Sequence, residues 1–233
     1  MKLMNRWAII NFCKKIEKMK ALKFLSLLLV VLAISSCNTR DKKEGKTKTE
    51  AELIEKNKVY SIDTTSTVLQ WTAYKFTDKV GVNGTFDNFK LHIENKNTSL
   101  IEELLQGAII NINTNSVNSG ETIRDTKLRT YFFDVFGTDT IKGEIKNALE
   151  NKGEMILEMN AITKEIAYTY KMKNDTVFLS SAINLSYWEG EEAMTSLNQE
   201  CHELHMGVDG ISKLWPNVDI TIKLPLKTRL HTD

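Results

Sequence analysis

The sequence predicts a mainly β protein, an antiparallel β-barrel of about eight strands with two short helices. After residue 60, apolar and polar residues alternate in short runs, which is the period of a strand with one face in a core. Turn signals such as Asn83-Gly84 and Asn151-Lys152-Gly153 separate the runs. The chain holds only two prolines. Closing the sheet would remove its exposed edges, so a barrel is favoured, with an open β-sandwich as the alternative.

The clearest predicted strand is the last alternating run, residues 218–226, in which every second residue is aliphatic. Pro225 lies inside this run. It has no N–H to give to a ladder, so it fits only near a strand end or on an unpaired side. The other predicted strands cover residues 68–76, 85–93, 108–117, 155–162, 166–172 and 177–185.

Two stretches depart from the alternation and predict short helices. Residues 99–106 place four aliphatic residues at helical spacing, and Gly107 follows as an end signal. Residues 121–133 place Ile123 and Leu128 near one face of a second helix. Both helices are short enough to be insertions between strands.

The first 36 residues predict a lipoprotein signal peptide. An apolar run, residues 24–34, follows two lysines and is too short to cross a bilayer, which needs roughly 20 residues. It ends in Ile34-Ser35-Ser36-Cys37, the pattern at which bacteria cut a signal and attach lipid to the new N-terminal cysteine. We expect residues 1–36 to be removed and Cys37 to be lipidated; a plain cleaved signal or a short buried helix is the alternative. Met19 opens a complete short n-region, which predicts that translation starts there.

The composition beyond the leader excludes one class of partner. Without residues 1–36 the chain keeps 24 basic and 29 acidic residues, a balance of about −5. A nucleic-acid binder needs a concentrated basic surface, so none is expected. Residues 37–58 are polar and predict the lipidated cysteine followed by a disordered tether, and the folded domain is expected over residues 59–229. Cys201 is then the one thiol left in that domain, and no disulfide is expected within it.

An ordered set of motifs covers about residues 60–228. It begins with Tyr60-Ser61-Ile62-Asp63 and a Gly-x-Phe hairpin within residues 82–89. A longer run, residues 115–135, combines Asn-Ser-Val, Arg-Asp, Leu-Arg and Phe-Phe-Asp-Val. Residues 162–164 and 218–226 supply a later turn and a closing strand. In this order the motifs resemble those of the YceI-like family.

The resemblance implies a lipocalin-like antiparallel barrel that holds a long isoprenoid or fatty-acyl chain in an elongated apolar tunnel, with no other cofactor. The chain departs from the family pattern at Ala161, where a glycine is usual, and at residues 137–139, where a proline is frequent. The loop over residues 189–210 is also longer than expected. These departures leave the implied fold intact.

The implied tunnel would be lined by one parity of each strand and by the aromatic residues after the second helix. The alternative is that these side chains fill a solid core. Arg124 and Arg129 are candidates for binding a polar head group at the tunnel mouth, because guanidinium groups suit phosphate and carboxylate. An ion pair that holds the helix against the barrel is the alternative for them. The candidate lining residues are Leu69, Trp71, Phe86, Ile110, Ile112, Phe132, Phe133, Phe136, Tyr168 and Tyr170.

Cys201, His202 and His205 form the local cluster best suited to metal chemistry. Thiolate and imidazole bind zinc or copper, but the His-Glu-x-His spacing is one residue short of the zinc-protease motif and no fourth ligand is identified. We therefore expect no metal site here, with the three residues as weak candidates. A redox or intermolecular link through the thiol, or a plain loop with a partly buried cysteine, are the other interpretations.

Together these features predict a non-enzymatic lipoprotein of the bacterial cell envelope. Its expected function is to bind, carry or sequester a long apolar ligand. We expect it to be lipid-anchored and to face the periplasm, because no acidic export tag follows Cys37. Expected partners are a lipid-like small molecule, the membrane through Cys37 and, as an option, a second copy in a homodimer. The alternatives are a metal-handling or redox module at Cys201, and a structural envelope protein with a filled barrel.

Overall fold

Eleven strands form one antiparallel sheet in the part of the chain that the structure describes. The structure is a computed structural model, and it describes residues 58–230 of the 233-residue chain. The predicted signal peptide, the start at Met19, Cys37 and the tether up to residue 57 lie outside the described residues. The strands are β1 Lys58–Ile62, β2 Val68–Lys75, β3 Val80–Phe86, β4 Phe89–His92, β5 Ile109–Asn113, β6 Val117–Asn118, β7 Thr140–Leu149, β8 Lys152–Met159, β9 Ile162–Lys173, β10 Thr176–Asn184 and β11 Leu214–Leu230.

Helical segments connect several of these strands. The described α-helices are α1 Ile101–Leu105, α2 Thr122–Lys127 and α3 Glu191–Glu200. A π-helical turn, Leu128–Phe133, continues α2 directly. Short 3₁₀ turns lie at Thr114–Ser116, Leu185–Trp188 and His202–His205. None of the helices within residues 58–230 combines the length and the hydropathy that a membrane span requires.

The sheet curls into a lipocalin-like barrel. Its strands follow the order β4-β5-β7-β8-β9-β10-β11-β2-β3-β6, and β1 pairs with the C-terminal part of β11. The ends of this path meet at two bends: Asp87 N–H donates to Ser116 O (3.0 Å), and Asn113 N–H donates to Asn88 O (3.0 Å). The bends therefore keep β3–β4 beside β5–β6 and close the barrel on this side.

A seam remains between β1 and β4. The described pairings join β1 to β11 and β4 to β5, but do not join β1 to β4. Tyr60 instead exchanges two backbone hydrogen bonds, of 2.7 and 3.2 Å, with Thr98, which follows β4 in the chain. We refer to the barrel end beside this seam, where α1 packs, as the α1 end, and to the opposite end, covered by α2 and α3, as the α2–α3 end.

The strand predictions need three corrections. Residues 108–117 are not one strand, because the 3₁₀ turn Thr114–Ser116 separates β5 from β6. Residues 85–93 are not one strand, because the bend at Asp87 and Asn88 divides them into β3 and β4. Strand β7 was not predicted, because Gly143 occupies an inward position between Ile141 and Ile145 and interrupts the aliphatic alternation.

Pro225 lies inside a long strand rather than near its end. Its register partner on β10 is Thr176. On its other side the pairing changes from β2, which ends opposite Lys223, to β1, which begins opposite Leu226. The missing N–H of Pro225 therefore faces the junction between two partner strands, where no ladder bond is lost.

The predicted loop over residues 189–210 contains α3. The sequence EEAMTSLNQE has few apolar residues, and only Ala193 and Leu197 are buried. Their spacing of four residues, continued by buried Cys201, is the helical signal that was overlooked. Glu191 and Glu192 are the exposed first turn of this helix rather than part of a loop.

The interior holds two clusters of buried side chains. The larger one, towards the α2–α3 end, includes Leu69, Trp71 and Trp188. The second, towards the α1 end, includes Leu105, Tyr168 and Val177, of which Leu105 and Val177 are completely buried. The two clusters differ in how well they are filled, and this difference locates the candidate site.

Candidate ligand-binding cavity

An apolar cavity with a volume of about 170 Å³ lies within the larger cluster. Strand alternation brings the inward side chains of β2, β5, β8 and β11 to its wall, and α3 adds Met194 and Leu197. Every described residue that borders the cavity is uncharged, and only Gln70 and Tyr74 among them carry a polar side chain besides the two tryptophans. The cavity can therefore offer van der Waals contact but no ionic partner to a guest.

Eight of the ten predicted lining residues border this cavity. They come from β2, β3, β5 and the segment after α2, so residues far apart in sequence converge on one space. Their role as ligand contacts stays a prediction. The eight are Leu69, Trp71, Phe86, Ile110, Ile112, Phe132, Phe133 and Phe136.

Tyr168 and Tyr170 do not border the cavity, which corrects their assignment as lining residues. Both are buried in the second cluster, with 2% and 5% of their surface exposed. Tyr168 donates its hydroxyl hydrogen to Asn147 O (2.8 Å), and Tyr170 donates to Glu102 Oε1 (2.7 Å). Their inward parity was predicted correctly, but alternation alone does not say which end of a barrel is filled.

The helical segment after α2 supplies the aromatic cover of the cavity. Two backbone hydrogen bonds of the π type, Asp134 N–H to Arg129 O (2.9 Å) and Thr138 N–H to Phe133 O (3.3 Å), widen this segment. Phe132 packs edge-on against Phe133, with ring centroids 5.0 Å apart, and Phe133 packs against Phe86 at 5.9 Å. Edge-to-face ring pairs of this kind contribute about 0.5–1.5 kcal/mol beyond their buried area.

Helix α3 lies over the same segment. Lys127 Nζ and Glu200 Oε1 form an ion pair at 3.2 Å that joins the end of α2 to the end of α3. Trp188, completely buried just before α3, donates its indole N–H to Leu157 O (3.2 Å) and so fixes the approach of this helix to β8. The sequence interpretation missed this part of the cavity wall because it treated residues 189–210 as a loop.

Polar groups appear only at the rim of the cavity. Trp215 donates its indole N–H to Phe76 O (2.7 Å), and Lys213 Nζ lies 3.7 Å from the centroid of the Trp215 ring. The hydroxyl of Tyr74 donates to Asp219, and this hydrogen bond raises the pKa of Tyr74. Half-buried Tyr74, Lys213 and Trp215 mark the edge of the apolar surface at the α2–α3 end.

Arg124 and Arg129 do not border the cavity, so the structure does not place them as head-group ligands at its mouth. Arg124 donates to Ser119 Oγ (2.7 Å) and to Ser119 O (2.9 Å). Buried Asp125 accepts from Ser119 N–H (2.8 Å). The Arg-Asp pair thus holds the turn before α2 through Ser119, while Arg129 donates within the helical segment to Thr126 Oγ1 (3.2 Å).

Cys201, His202 and His205 do not converge on a common point. Cys201 is buried at the end of α3, and burial raises the pKa of its thiol, whereas His202 is exposed beside Glu203. His205 pairs with Asn198 Oδ1 (3.0 Å), and burial, followed by the charges of Lys75 and Lys127, lowers its pKa to about 4. Across residues 58–230 no group of three or more His, Cys, Asp and Glu side chains is arranged to hold a metal ion.

Comparison with known proteins adds a family match. A family model described as a YceI-like domain matches residues 60–226. A structure described as a polyisoprenoid binding domain from Saccharophagus degradans implicated in plant cell wall breakdown is 16% identical, with a TM-score of 0.52 over 74% of this chain and 98% of that chain. At this identity the likeness shows the fold alone. No curated protein matches the chain.

Two further structures are similar at lower scores. BcnA from Burkholderia cenocepacia is 15% identical, with a TM-score of 0.49 over 71% of this chain and 99% of that chain. The YceI protein of Campylobacter jejuni is 15% identical, with a TM-score of 0.45 over 68% of this chain and 90% of that chain.

Proposed function

The chain belongs to the YceI-like domain family, and from this premise we propose that it binds a long apolar chain, an isoprenoid or a fatty-acyl group, in the cavity at the α2–α3 end. The observation that carries the proposal is a void of about 170 Å³ with an uncharged, almost wholly apolar wall. A void of about 150 Å³ lined by Leu, Ile and Phe stays dry and takes up small apolar molecules. A filled barrel would not leave such a space.

The expected binding energy comes from apolar contact. Each methylene moved from water into the cavity gains about 0.8 kcal/mol. A chain of many methylenes can therefore bind firmly with no charged group and no catalytic step in the cavity wall. Carriage or sequestration, rather than turnover, is the activity that suits this wall. The polyisoprenoid binding domain from Saccharophagus degradans, which shares the fold, supports an isoprenoid as the first ligand to test.

We also propose that the protein is a lipoprotein of the bacterial cell envelope, anchored through Cys37 and facing the periplasm. The Ile34-Ser35-Ser36-Cys37 pattern supports this, and β1 begins at Lys58, about 20 residues later. Anchoring would keep the cavity near the membrane in which apolar chains are found. In cells fed labelled palmitate, the wild type should take up label and Cys37→Ser should not; a labelled Cys37→Ser protein would contradict lipidation at this residue.

The cavity proposal is tested by filling the cavity. Ile112 and Ile109 lie on the same strand, and Ile112 points into the cavity whereas Ile109 is 38% exposed. We expect Ile112→Trp to reduce binding of a 20-carbon isoprenoid alcohol at least tenfold, and Ile109→Trp to leave it unchanged. Isothermal titration calorimetry with the purified protein measures the affinity of both variants for the alcohol. Native mass spectrometry of protein purified from its own host identifies the bound chain. Equal binding by wild type and Ile112→Trp would refute the proposal.

A further inference from the structure

A second opening lies at the α1 end, in the seam between β1 and β4. It is a groove with a volume of about 460 Å³. Lys96, Lys227 and Arg229 border it, together with His92. No carboxylate among the described residues borders this groove. Its wall therefore differs in charge from the wall of the apolar cavity, which has no ionised group.

The positive charge of the groove is only partly neutralised. Lys227 Nζ pairs with Asp63 Oδ1 at 3.2 Å. That carboxylate also accepts from Thr65 Oγ1 (2.6 Å), and hydrogen bonding to Thr65 lowers its pKa to about 2, so it stays ionised. For Lys96 and Arg229, the described part of the chain provides no ion pair within 4.0 Å. Two cations are thus left to attract an anion.

The floor of the groove is apolar and separates it from a small void in the interior. Leu91 and Ile93 border both the groove and a small internal void of about 40 Å³. The far wall of that void is shared with the large cavity, because Ile110, Gly143 and Ile222 border both spaces. Shared apolar residues therefore separate the charged groove from the small void, and the small void from the cavity.

Gly143 lies between the small void and the cavity. A Cβ atom added there would lie 3.0 Å from Ile110 Cγ2 and 3.8 Å from Leu157 Cδ1. A side chain at residue 143 would therefore fill the space between the small void and the cavity. This also explains why an inward position of β7 is occupied by glycine.

We propose that the seam groove binds the anionic head group, a phosphate or a carboxylate, of an amphiphile whose chain passes Gly143 into the cavity. The inference rests on the proposed function, because it needs a chain in the cavity. It places the head group at the α1 end, opposite the end at which Arg124 and Arg129 lie. The planar guanidinium of Arg229 can donate two parallel hydrogen bonds to either anion, and Lys96 adds a point charge.

The test compares three ligands with the same chain length: geranylgeranyl phosphate, a 20-carbon fatty acid and uncharged geranylgeraniol. The wild type should bind at least one of the two anions tenfold or more tightly than the alcohol by isothermal titration. The double variant Lys96→Gln/Arg229→Gln should lose most of that preference and keep its affinity for the alcohol. The matched control Arg124→Gln/Arg129→Gln should keep the preference. The anion that is preferred identifies the class of head group.

Each outcome separates this inference from the proposed function. If the alcohol binds the wild type as tightly as both anions, or if the Lys96→Gln/Arg229→Gln variant keeps the preference, the head-group site is refuted while the cavity proposal stands. If none of the three ligands binds, both fail. Inorganic phosphate gives a check without any variant, because it should compete with geranylgeranyl phosphate and leave geranylgeraniol binding unchanged. Lack of competition would refute a phosphate site.

The route itself is tested at Gly143. Gly143→Val should place two methyl groups in the passage, so that a chain held at the groove can no longer reach the cavity. We expect the preference for the anion to fall at least fivefold while geranylgeraniol still binds from the α2–α3 end. Retained alcohol binding shows that the variant folds. An unchanged preference in a folded variant would refute the route past Gly143.

Discussion

The two halves of the barrel interior are built in the same way and filled differently. In each half an aromatic ring lies over a glycine of the neighbouring strand: Trp71 over Gly84 near the cavity, and Tyr168 over Gly153 towards the α1 end. Around Tyr168 the side chains close up, whereas around Trp71 a void of about 170 Å³ remains. Both halves have inward-facing apolar side chains at alternate strand positions. They differ in packing density, which is what distinguishes a filled core from a binding cavity.

The largest expected contrast between the halves concerns the loss of an aromatic ring. Tyr168→Ala should lower the free energy of unfolding by about 3–5 kcal/mol, because it opens a cavity in a filled region and removes the hydrogen bond to Asn147 O. Phe132→Ala should cost only about 1–2 kcal/mol, because that half-buried ring already faces a void. Urea unfolding followed by tryptophan fluorescence measures both. Equal costs would mean that the halves are packed alike.

The second contrast concerns the addition of volume. Val177 is completely buried in the filled half and borders none of the spaces described above, and Val177→Phe should destabilise the fold by about 1–3 kcal/mol through overpacking. Ile112→Phe should cost less than 1 kcal/mol, since the cavity can receive the larger side chain. Thermal unfolding of the two variants beside the wild type decides the point. A larger loss for Ile112→Phe would contradict the cavity.

The third contrast is a pH dependence of the free energy of unfolding that arises from His205 at the α2–α3 end. The pKa of His205 is about 4 in the folded protein, below its ordinary 6.5, so the unfolded chain binds the extra proton between these values. Stability should therefore fall as the pH drops from 6.5 to 4, by about 1–2 kcal/mol after allowance for partial exposure. His205→Gln should flatten this part of the profile measured by urea unfolding. An unchanged slope would contradict the assignment.

The smallest contrast concerns two turns at opposite ends. Ala161, in the β8–β9 turn, has φ +55°, a conformation that costs a residue with a Cβ about 1 kcal/mol. Asn151, in the β7–β8 turn, has φ +67°, which asparagine tolerates. Ala161→Gly should stabilise the protein by about 0.5–1 kcal/mol, and Asn151→Gly by a few tenths at most. Differential scanning calorimetry resolves the difference; destabilisation by Ala161→Gly would overturn this explanation.

The sequence indicates the barrel more completely than the cavity. Strand β11 was predicted from its alternation, because a half-buried strand shows its inward face directly. Strand β7 was not predicted because Gly143 occupies one of its inward positions and interrupts the aliphatic alternation. Helix α3 was not predicted because only two of its residues, Ala193 and Leu197, are buried. Tyr168 and Phe86 have the same inward parity in sequence. Only the three-dimensional arrangement shows that one fills the α1 end and the other borders an empty space.

The head-group candidates show the same limit. Arg124 and Arg129 are prominent in sequence because they lie in a recognisable run, but Arg124 is occupied with Ser119. Lys96 and Arg229 lie far apart in the chain and in no motif, and the seam brings them to one groove. Convergence of this kind depends on how the sheet closes, which local sequence patterns do not contain.

The pairing of β1 with β11 sets the order in which the domain can be completed. Lys58 pairs with Leu230 and Ile62 with Leu226, so β1 cannot pair until β11 is present. Contacts of such long sequence separation slow folding, because loop-closure entropy is lost before the contacts form. During synthesis, the growing chain therefore stays open until its C-terminal strand emerges.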